Sequence, residues 1–221
     1  TILVKLSGID IRIAWIGWAL RLIVWSIRSL VDLLFRGVVI AQRALSREME
    51  FQADLVAVSL TGSDALIHAL HRLNAADEAW QRSLDFANSE FGKQRAVRDL
   101  FAIQSRVIER MRGVLDDPAY GAVPAMPTGK PEGHRVFRAE LAAPPRMWST
   151  HPANADREEN AKRTYVPAPI DERSAWELFD SEPALRERVS AHLARGADEF
   201  KPVPIDESLQ SLDQQFDKAY L

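Results

Sequence analysis

The chain has 221 residues, of which 47% are hydrophobic and 27% charged, a composition that predicts a folded core and excludes global disorder. Its net charge of −3 gives no support for nucleic-acid binding. There is no cysteine, which excludes disulfides, thiol catalysis and cysteine-ligated zinc. Any imidazole-based metal site must therefore draw on the five histidines, His68, His71, His134, His151 and His192.

Region 1–45 is apolar and rich in tryptophan, and it carries six Lys or Arg against two Asp. Four charged residues recur at intervals of seven and four, on one stripe of a helix: Arg21, Arg28, Asp32 and Arg36. Trp18 and Trp25 share another face. A narrow cationic stripe beside a wide apolar face is typical of a helix at a membrane interface or beside other membrane helices. We therefore expect a membrane-associated helix; a core helix with its charged edge in water is the alternative.

The apolar periodicity of the remaining chain predicts a mostly α-helical fold. A second helix is predicted over 44–60, with a glycine C-cap at Thr61-Gly62. Ser63 is predicted to cap a third helix. The buried face of that helix is marked by leucines: Leu66, Leu70 and Leu73. A fourth helix is predicted over 95–115, with an apolar stripe at Leu100, Ile103, Val107, Ile108 and Met111.

After residue 115 the chain becomes rich in proline and glycine, which predicts loops joined by short helices. Two such helices are predicted, over 134–141 and over 186–194. The terminal segment 201–221 is polar and interrupted by proline, so we expect it to be peripheral. No strong alternating pattern predicts a strand.

The stretch SREMEFQADLVAVSLTG, 46–62, places two carboxylates in an apolar helix. Glu50 and Asp54 are four residues apart and therefore lie on one helix face. Burying one ionised carboxylate is costly, so two on the same face need compensation. Two kinds remain open at this point. One carboxylate binds a divalent metal while the other orients a ligating imidazole, or both form ion pairs with Arg43 or Arg47.

The order of residues in this stretch resembles the second metal-site helix of the HtpX and CAAX-prenyl-protease type of membrane zinc metallopeptidases. That family pattern reads Ser-Arg, two residues, Glu-(Tyr/Phe)-x-Ala-Asp, an apolar run to Leu-Thr-Gly, and an Ala/Leu-rich helix. The present sequence has each part in order: Ser46-Arg47, Glu50-Phe51-Gln52-Ala53-Asp54, Leu60-Thr61-Gly62 and the helix from Ser63. An ordered match of this length is more specific than a lone pair of carboxylates.

A second resemblance lies downstream, in STHPANADR. In the family, a Ser/Thr-His-Pro element is followed by an Arg six residues after the His. His151 and Arg157 have this spacing, and Ala153 stands where the family usually has a second Pro. Together the two elements resemble the family from the first helix to Arg157.

The resemblance implies a role for each matched residue. Glu50 would be the third ligand of one zinc ion, and Asp54 would steady a zinc-bound His from outside the ligand set. His151 and Arg157 would lie across the cleft and assist substrate or transition-state binding. Zinc held by two His and one Glu leaves a fourth position for a water molecule whose pKa the metal lowers.

The other half of the family's zinc site, H-E-x-x-H, is absent from this sequence. His68 and His71 are only three apart, have Ala69 where the Glu would stand, and follow the Glu50 helix instead of preceding it. We interpret them as ordinary helix residues. The sequence begins at Thr1, so we expect the missing half to lie upstream; a degenerate relative is the alternative.

The sequence therefore predicts the C-terminal part of a zinc-dependent endopeptidase that acts on membrane or misfolded proteins in a membrane, the bacterial inner membrane. Region 1–45 would be the membrane-associated helix, 46–165 the C-terminal half of the metallopeptidase domain, and 166–221 an acidic helical tail. With one ligand of three, the chain alone is expected to be inactive. The alternative is a non-catalytic, membrane-peripheral helical module that keeps the peptidase scaffold and binds partners.

Overall fold

The computed structural model of the protein describes residues 11–126, 129–137, 150–193 and 200–220. Most of these residues are helical, so the predicted mostly-α fold is confirmed. The chain divides into two compact units. The first unit comprises Thr1–Ala53 with Glu140–Pro152, and the second comprises Asp54–Ala139 with Ala153–Leu221.

The elements follow one another along the described residues in this order: α1 (Ile11–Thr61), α2 (Ser63–Phe91), β1 (Arg95–Val97), α3 (Leu100–Val114), α4 (Asn154–Lys162), α5 (Glu182–Leu193), β2 (Lys201–Val203) and α6 (Ile205–Tyr220). Short 3-10 turns occur at Pro131–Gly133 and Ala175–Leu178. Among the helices and strands of the described residues, α1 is the one within which the chain passes from the first unit to the second, between residues 53 and 54.

The first long helix, α1, is continuous where the sequence predicts two helices. Neither glycine nor proline occurs near residue 45, so nothing interrupts the helical hydrogen bonds at the expected junction. Large hydrophobic side chains in its N-terminal part are exposed, with Trp18 69% and Phe35 68% accessible. Within the described residues, no helix combines the length and the hydropathy required to cross a membrane.

The core of the second unit lies where α2, α3 and α6 meet. Its buried side chains form one cluster: Ala79, Phe86, Val97, Leu100, Ile103, Val107, Met111, Leu212 and Phe216. Burying each large side chain contributes about 1.5–3 kcal/mol to stability. The stripe predicted for α3 is confirmed, with Ile108 packed at the edge of this cluster.

The leucine face predicted for α2 is only partly correct. Leu70 is 2% exposed and buried as predicted, but Leu73 is 49% exposed. Ile67, with no exposed surface, lies at the centre of the buried face instead. The buried face of α2 therefore includes Ile67, Leu70 and Ala75, and only Leu70 of the three predicted leucines is fully buried.

Strand β1 replaces the first turn of the helix predicted over 95–115. Its three residues pair in parallel with β2, Arg95 opposite Lys201 and Val97 opposite Val203. α3 begins only after Asp99, whose side chain accepts hydrogen bonds from the amides of Phe101 and Ala102, both at 3.0 Å. An aspartate in this position ends the extended segment and caps the helix, which explains the later start.

The prediction that 201–221 is peripheral is wrong. β2 completes the small sheet, and α6 buries Leu212 and Phe216 in the core. These two residues are four apart, which places both on the inward face of an otherwise polar helix. The helix predicted over 186–194 is confirmed as α5, which begins earlier, at Glu182. Of the helix predicted over 134–141, residues 134–137 are not helical and the rest lies outside the described residues.

Candidate functional site

Glu50 lies on α1, within the first unit, and its side chain is 25% exposed. Its Oε1 atom is 2.6 Å from Nδ1 of His151, a residue of the same unit. A contact this short requires a proton between the two atoms, so the imidazole Nδ1–H donates to the carboxylate. The His151 side chain is 75% exposed. The structure thus brings together two residues that are 101 positions apart in the sequence and that the resemblance places in one site.

Asp54 lies within the second unit, and its side chain is only 4% exposed. Its carboxylate accepts two parallel hydrogen bonds from Arg157, from Nε at 2.8 Å and from the terminal guanidinium nitrogen Nη2 at 2.6 Å. Two-pronged pairing of a planar guanidinium with a carboxylate is among the strongest side-chain interactions in proteins. Arg157 therefore compensates the buried carboxylate of Asp54. From the sequence alone, the compensating group was either a metal-bound imidazole or a nearby arginine on α1.

Arg157 is positioned by the start of α4. Ala153 has an extended backbone, and the amide of Arg157 donates to its carbonyl at 3.0 Å, which closes the first helical turn. Pro152 disfavours helical backbone at the residue before it, and the chain becomes helical from Asn154. The six-residue spacing therefore places His151 before the helix and Arg157 in the first turn of α4.

A comparison with protein-family models decides which family these residues represent. The model described as Peptidase family M48 matches residues 14–165. The chain belongs to peptidase family M48. The match extends from α1 past the end of α4, so it includes all four candidate site residues, Glu50, Asp54, His151 and Arg157. Neither a curated protein nor a solved structure matches the chain.

M48 is a family of metallopeptidases and is in general zinc-dependent, so the resemblance seen in the sequence is confirmed at the level of the family. Its members act on protein or peptide substrates. Within the described residues of this M48 chain, no three side chains of His, Asp or Glu lie close enough together to hold a metal ion.

His68 and His71 belong to α2 and are three residues apart, so they do not have the spacing of H-E-x-x-H. Burial lowers the pKa of His68, while the charge of Asp64 acts in the opposite direction. The ring of His71 lies 6.1 Å from that of Phe137. Among the residues that the structure describes, the Nδ1 atoms of His68 and His71 have no hydrogen-bond partner. The interpretation of both as ordinary helix residues stays a prediction.

The sequence reasoning missed a group of buried charged residues around α4. Glu158 and Lys162 each have side chains with no exposed surface, and Asp64 of α2 is 3.2 Å from the Lys162 ammonium group. A Glu and a Lys four apart on a helix are usually a solvated surface pair, so spacing alone indicates the wrong environment. One feature of the sequence could have indicated this buried polar group: Ser63-Asp64 directly follows Thr61-Gly62 in an otherwise apolar region.

Proposed function

We propose that this M48 chain supplies Glu50 as one ligand of the zinc ion of a metalloendopeptidase. The supporting observation is the 2.6 Å contact of Glu50 with the His151 imidazole, on a side chain that retains 25% exposure. A carboxylate that is partly accessible and hydrogen-bonded to an exposed imidazole can exchange that imidazole for a metal ion at low cost.

The residues fit zinc as a partial donor set. Carboxylate oxygen and imidazole nitrogen are both ligands that zinc accepts, but the described residues do not bring three such donors together. The remaining two ligands would come from an H-E-x-x-H helix outside this sequence, which family membership makes the natural expectation. When bound, zinc would lower the pKa of a water molecule and polarise the scissile carbonyl of a peptide substrate.

Asp54 would then act as the carboxylate that orients a zinc-binding imidazole. An ionised carboxylate has about four lone-pair positions, and the two hydrogen bonds from Arg157 use one on each oxygen. Arg157 thereby holds Asp54 in one orientation, while each oxygen keeps acceptor capacity toward an imidazole N–H. We accordingly assign Arg157 to the positioning of Asp54 in this proposal.

His151 would act on the substrate. Its Nδ1–H is directed at Glu50 in this structure, and its side chain is the most exposed of the four. Once Glu50 binds the metal, the imidazole N–H would be available to donate to the oxyanion that develops on the substrate carbonyl. This assignment gives one carboxylate to the metal and one imidazole to the reacting oxygen.

The test is the Glu50→Gln variant of the intact peptidase, with Glu48→Gln as a matched control on the exposed side of the same helix. We expect Glu50→Gln to lose both stoichiometric zinc and peptidase activity, because an amide oxygen is a weaker ligand than a carboxylate. Glu48→Gln should keep both. Retention of full activity by Glu50→Gln would refute the ligand assignment.

A second candidate function follows from the exposed apolar part of α1. Trp18, Trp25 and Phe35 are each more than 60% exposed, an arrangement that favours a lipid surface or membrane helices as partner. A non-catalytic, membrane-peripheral module would share this feature with a membrane-bound peptidase. Flotation with lipid vesicles tests the membrane proposal, and a lack of peptidase activity in the intact protein would favour the module.

A further inference from the structure

α4 is a short polar helix whose C-terminal half is nevertheless largely buried. Glu158, Ala161 and the side chain of Lys162 have no exposed surface, although the nine-residue helix contains few apolar side chains. Buried charges are costly unless they are paired and hydrogen-bonded. The position of α4 is therefore fixed largely by polar contacts, of which three sets involve Glu158, Lys162 and the residues next to them.

The first set of contacts holds the chain segment 131–137. Glu158 accepts hydrogen bonds from the successive amides of Val136 and Phe137, both at 2.8 Å. Lys162, one turn later, donates to the carbonyls of Pro131 at 3.0 Å and His134 at 2.7 Å. One carboxylate and one ammonium group on the same helix face thus satisfy four backbone groups of this segment.

The second set joins the end of α4 to the start of α2. Ser63 is not the N-cap that the sequence predicts, since its hydroxyl donates to the carbonyl of Ala161 at 2.8 Å. The same hydroxyl accepts from the amide of Val166 at 3.1 Å, and the Ser63 amide donates to the Val166 carbonyl at 2.9 Å. Gly62 permits this approach: its φ is +87°, and a Cβ there would lie 2.7 Å from Cβ of Ala168.

The third contact is an ion pair beside Ser63. Asp64 lies 3.2 Å from the ammonium of Lys162 and accepts a hydrogen bond of 2.6 Å from the Tyr165 hydroxyl. This hydrogen bond, aided by burial, raises the pKa of Tyr165 to about 12, so the hydroxyl remains a donor throughout the physiological range. The first two residues of α2 therefore hold the last two residues of α4 and the segment that follows.

These contacts fix the end of α4, the helix that also carries Arg157, the partner of Asp54. Asp54 lies two helical turns before the end of α1, and Arg157 lies about one turn before Ala161 on α4. We propose that Ser63 and Lys162 are positioning residues of the peptidase, which anchor the end of α4 to the start of α2 and so keep Arg157 aligned with Asp54. The catalytic part of this inference rests on the proposed function; the alignment itself does not.

The paired hydrogen bonds between Arg157 and Asp54 tolerate little movement of α4. Both hydrogen bonds between Arg157 and Asp54 are short, at 2.8 and 2.6 Å, and a planar fork keeps both only if the two groups stay coplanar. A small shift or rotation of α4 would convert the two-pronged pair into a single bond. Ser63 and Lys162 would thus act at a distance, through the placement of α4 alone.

The alignment is tested first on the chain itself, by NMR of the Arg157 Nε–H proton. Two variants remove different anchors. Ser63→Ala deletes only the hydroxyl, and Lys162→Met removes the ammonium group while keeping a side chain of similar length. The control is Glu90→Gln, a fully buried carboxylate that Lys93, Arg95 and Ser211 contact elsewhere in the same unit. We expect Nε–H exchange to accelerate by about tenfold or more in both anchor variants and to stay unchanged in the control. Unchanged exchange in both anchor variants would overturn the proposal.

The catalytic part is tested on the intact peptidase. Ser63→Ala should lower kcat by roughly 10-fold to 100-fold with little change in KM, because misplacement of an orienting group affects the reacting state. Combined with Arg157→Gln, Ser63→Ala should cause no further loss, since both act through the same pair. Additive losses would contradict the mechanism. If the NMR result holds while Glu50→Gln leaves activity intact, the anchoring stands and the proposed function fails.

Discussion

Glu50 and Asp54 are one turn apart on α1, yet their surroundings differ in almost every respect. Glu50, in the first unit, keeps 25% of its side chain exposed and contacts an imidazole that is 75% exposed. Asp54, in the second unit, is 4% exposed and is held by both prongs of a guanidinium that is itself 19% exposed. The same residue chemistry thus occurs once in a partly exposed position and once in a buried one.

The difference bears on the roles of the two residues. A metal ligand must be able to leave its partner in the metal-free protein, which suits Glu50. An orienting group must keep one position before and after metal binding, which suits Asp54. Two sets of measurements would break or sharpen this comparison, and a third concerns the unit that contains Asp54.

The largest expected effect is that of Asp54→Ala on stability. Removal of the carboxylate leaves the Arg157 guanidinium without its buried partner, and breaking a buried ion pair costs about 3–5 kcal/mol. Glu50→Ala should change stability by no more than about 0.5 kcal/mol, because its contacts are partly solvated. The free energies of unfolding of the two variants are compared by urea unfolding and, separately, by hydrogen exchange of the α3 amides. Equal effects would show that the two carboxylates do not differ as described.

A smaller effect is expected in the coupling between partners. A double-mutant cycle of Asp54→Ala with Arg157→Met should give an interaction of about 2–3 kcal/mol, at the upper end for contacting residues. The corresponding cycle of Glu50→Ala with His151→Ala should give less than about 1 kcal/mol, as for an exposed pair. A larger coupling for Glu50 than for Asp54 would reverse the comparison.

The smallest effect concerns the pH dependence of stability in the second unit. Burial lowers the pKa of His68 below 6.5, so the folded state disfavours the protonated form. Between pH 6.5 and the folded-state pKa, the unfolded chain binds more protons, and stability falls as the pH decreases through that window. The His68→Gln variant should have a shallower slope of unfolding free energy against pH there. An identical slope in the variant would mean that His68 does not contribute.

Much of the fold follows from local sequence patterns. The end of α1 at Thr61-Gly62 and the stripe of α3 from Leu100 to Met111 depend on residues within a few turns of one another, and both are found as predicted. The strand at Arg95–Val97 was not predictable in this way, since its partner lies more than 100 residues later at Lys201–Val203. Leu212 and Phe216 are likewise core residues only because α6 packs back on α3.

In the candidate site, too, local patterns predict some features while others depend on long-range contacts. The matched motifs indicate Glu50, Asp54, His151 and Arg157 as a set, but they do not indicate which residue contacts which. The structure pairs Glu50 with His151 and Asp54 with Arg157, contacts that close loops of 101 and 103 residues. Spacing on one helix could suggest only neighbours such as Arg47. Pairings over these separations depend on tertiary structure, which no local pattern encodes.

The most direct test of the central claim is a crystal structure of the intact, zinc-loaded peptidase with anomalous scattering at the zinc edge. The account predicts a zinc ion at about 2.0–2.2 Å from a Glu50 carboxylate oxygen, with Asp54 outside the ligand set and still paired with Arg157. Zinc bound without Glu50, or Asp54 turned from Arg157 to ligate the metal, would contradict it.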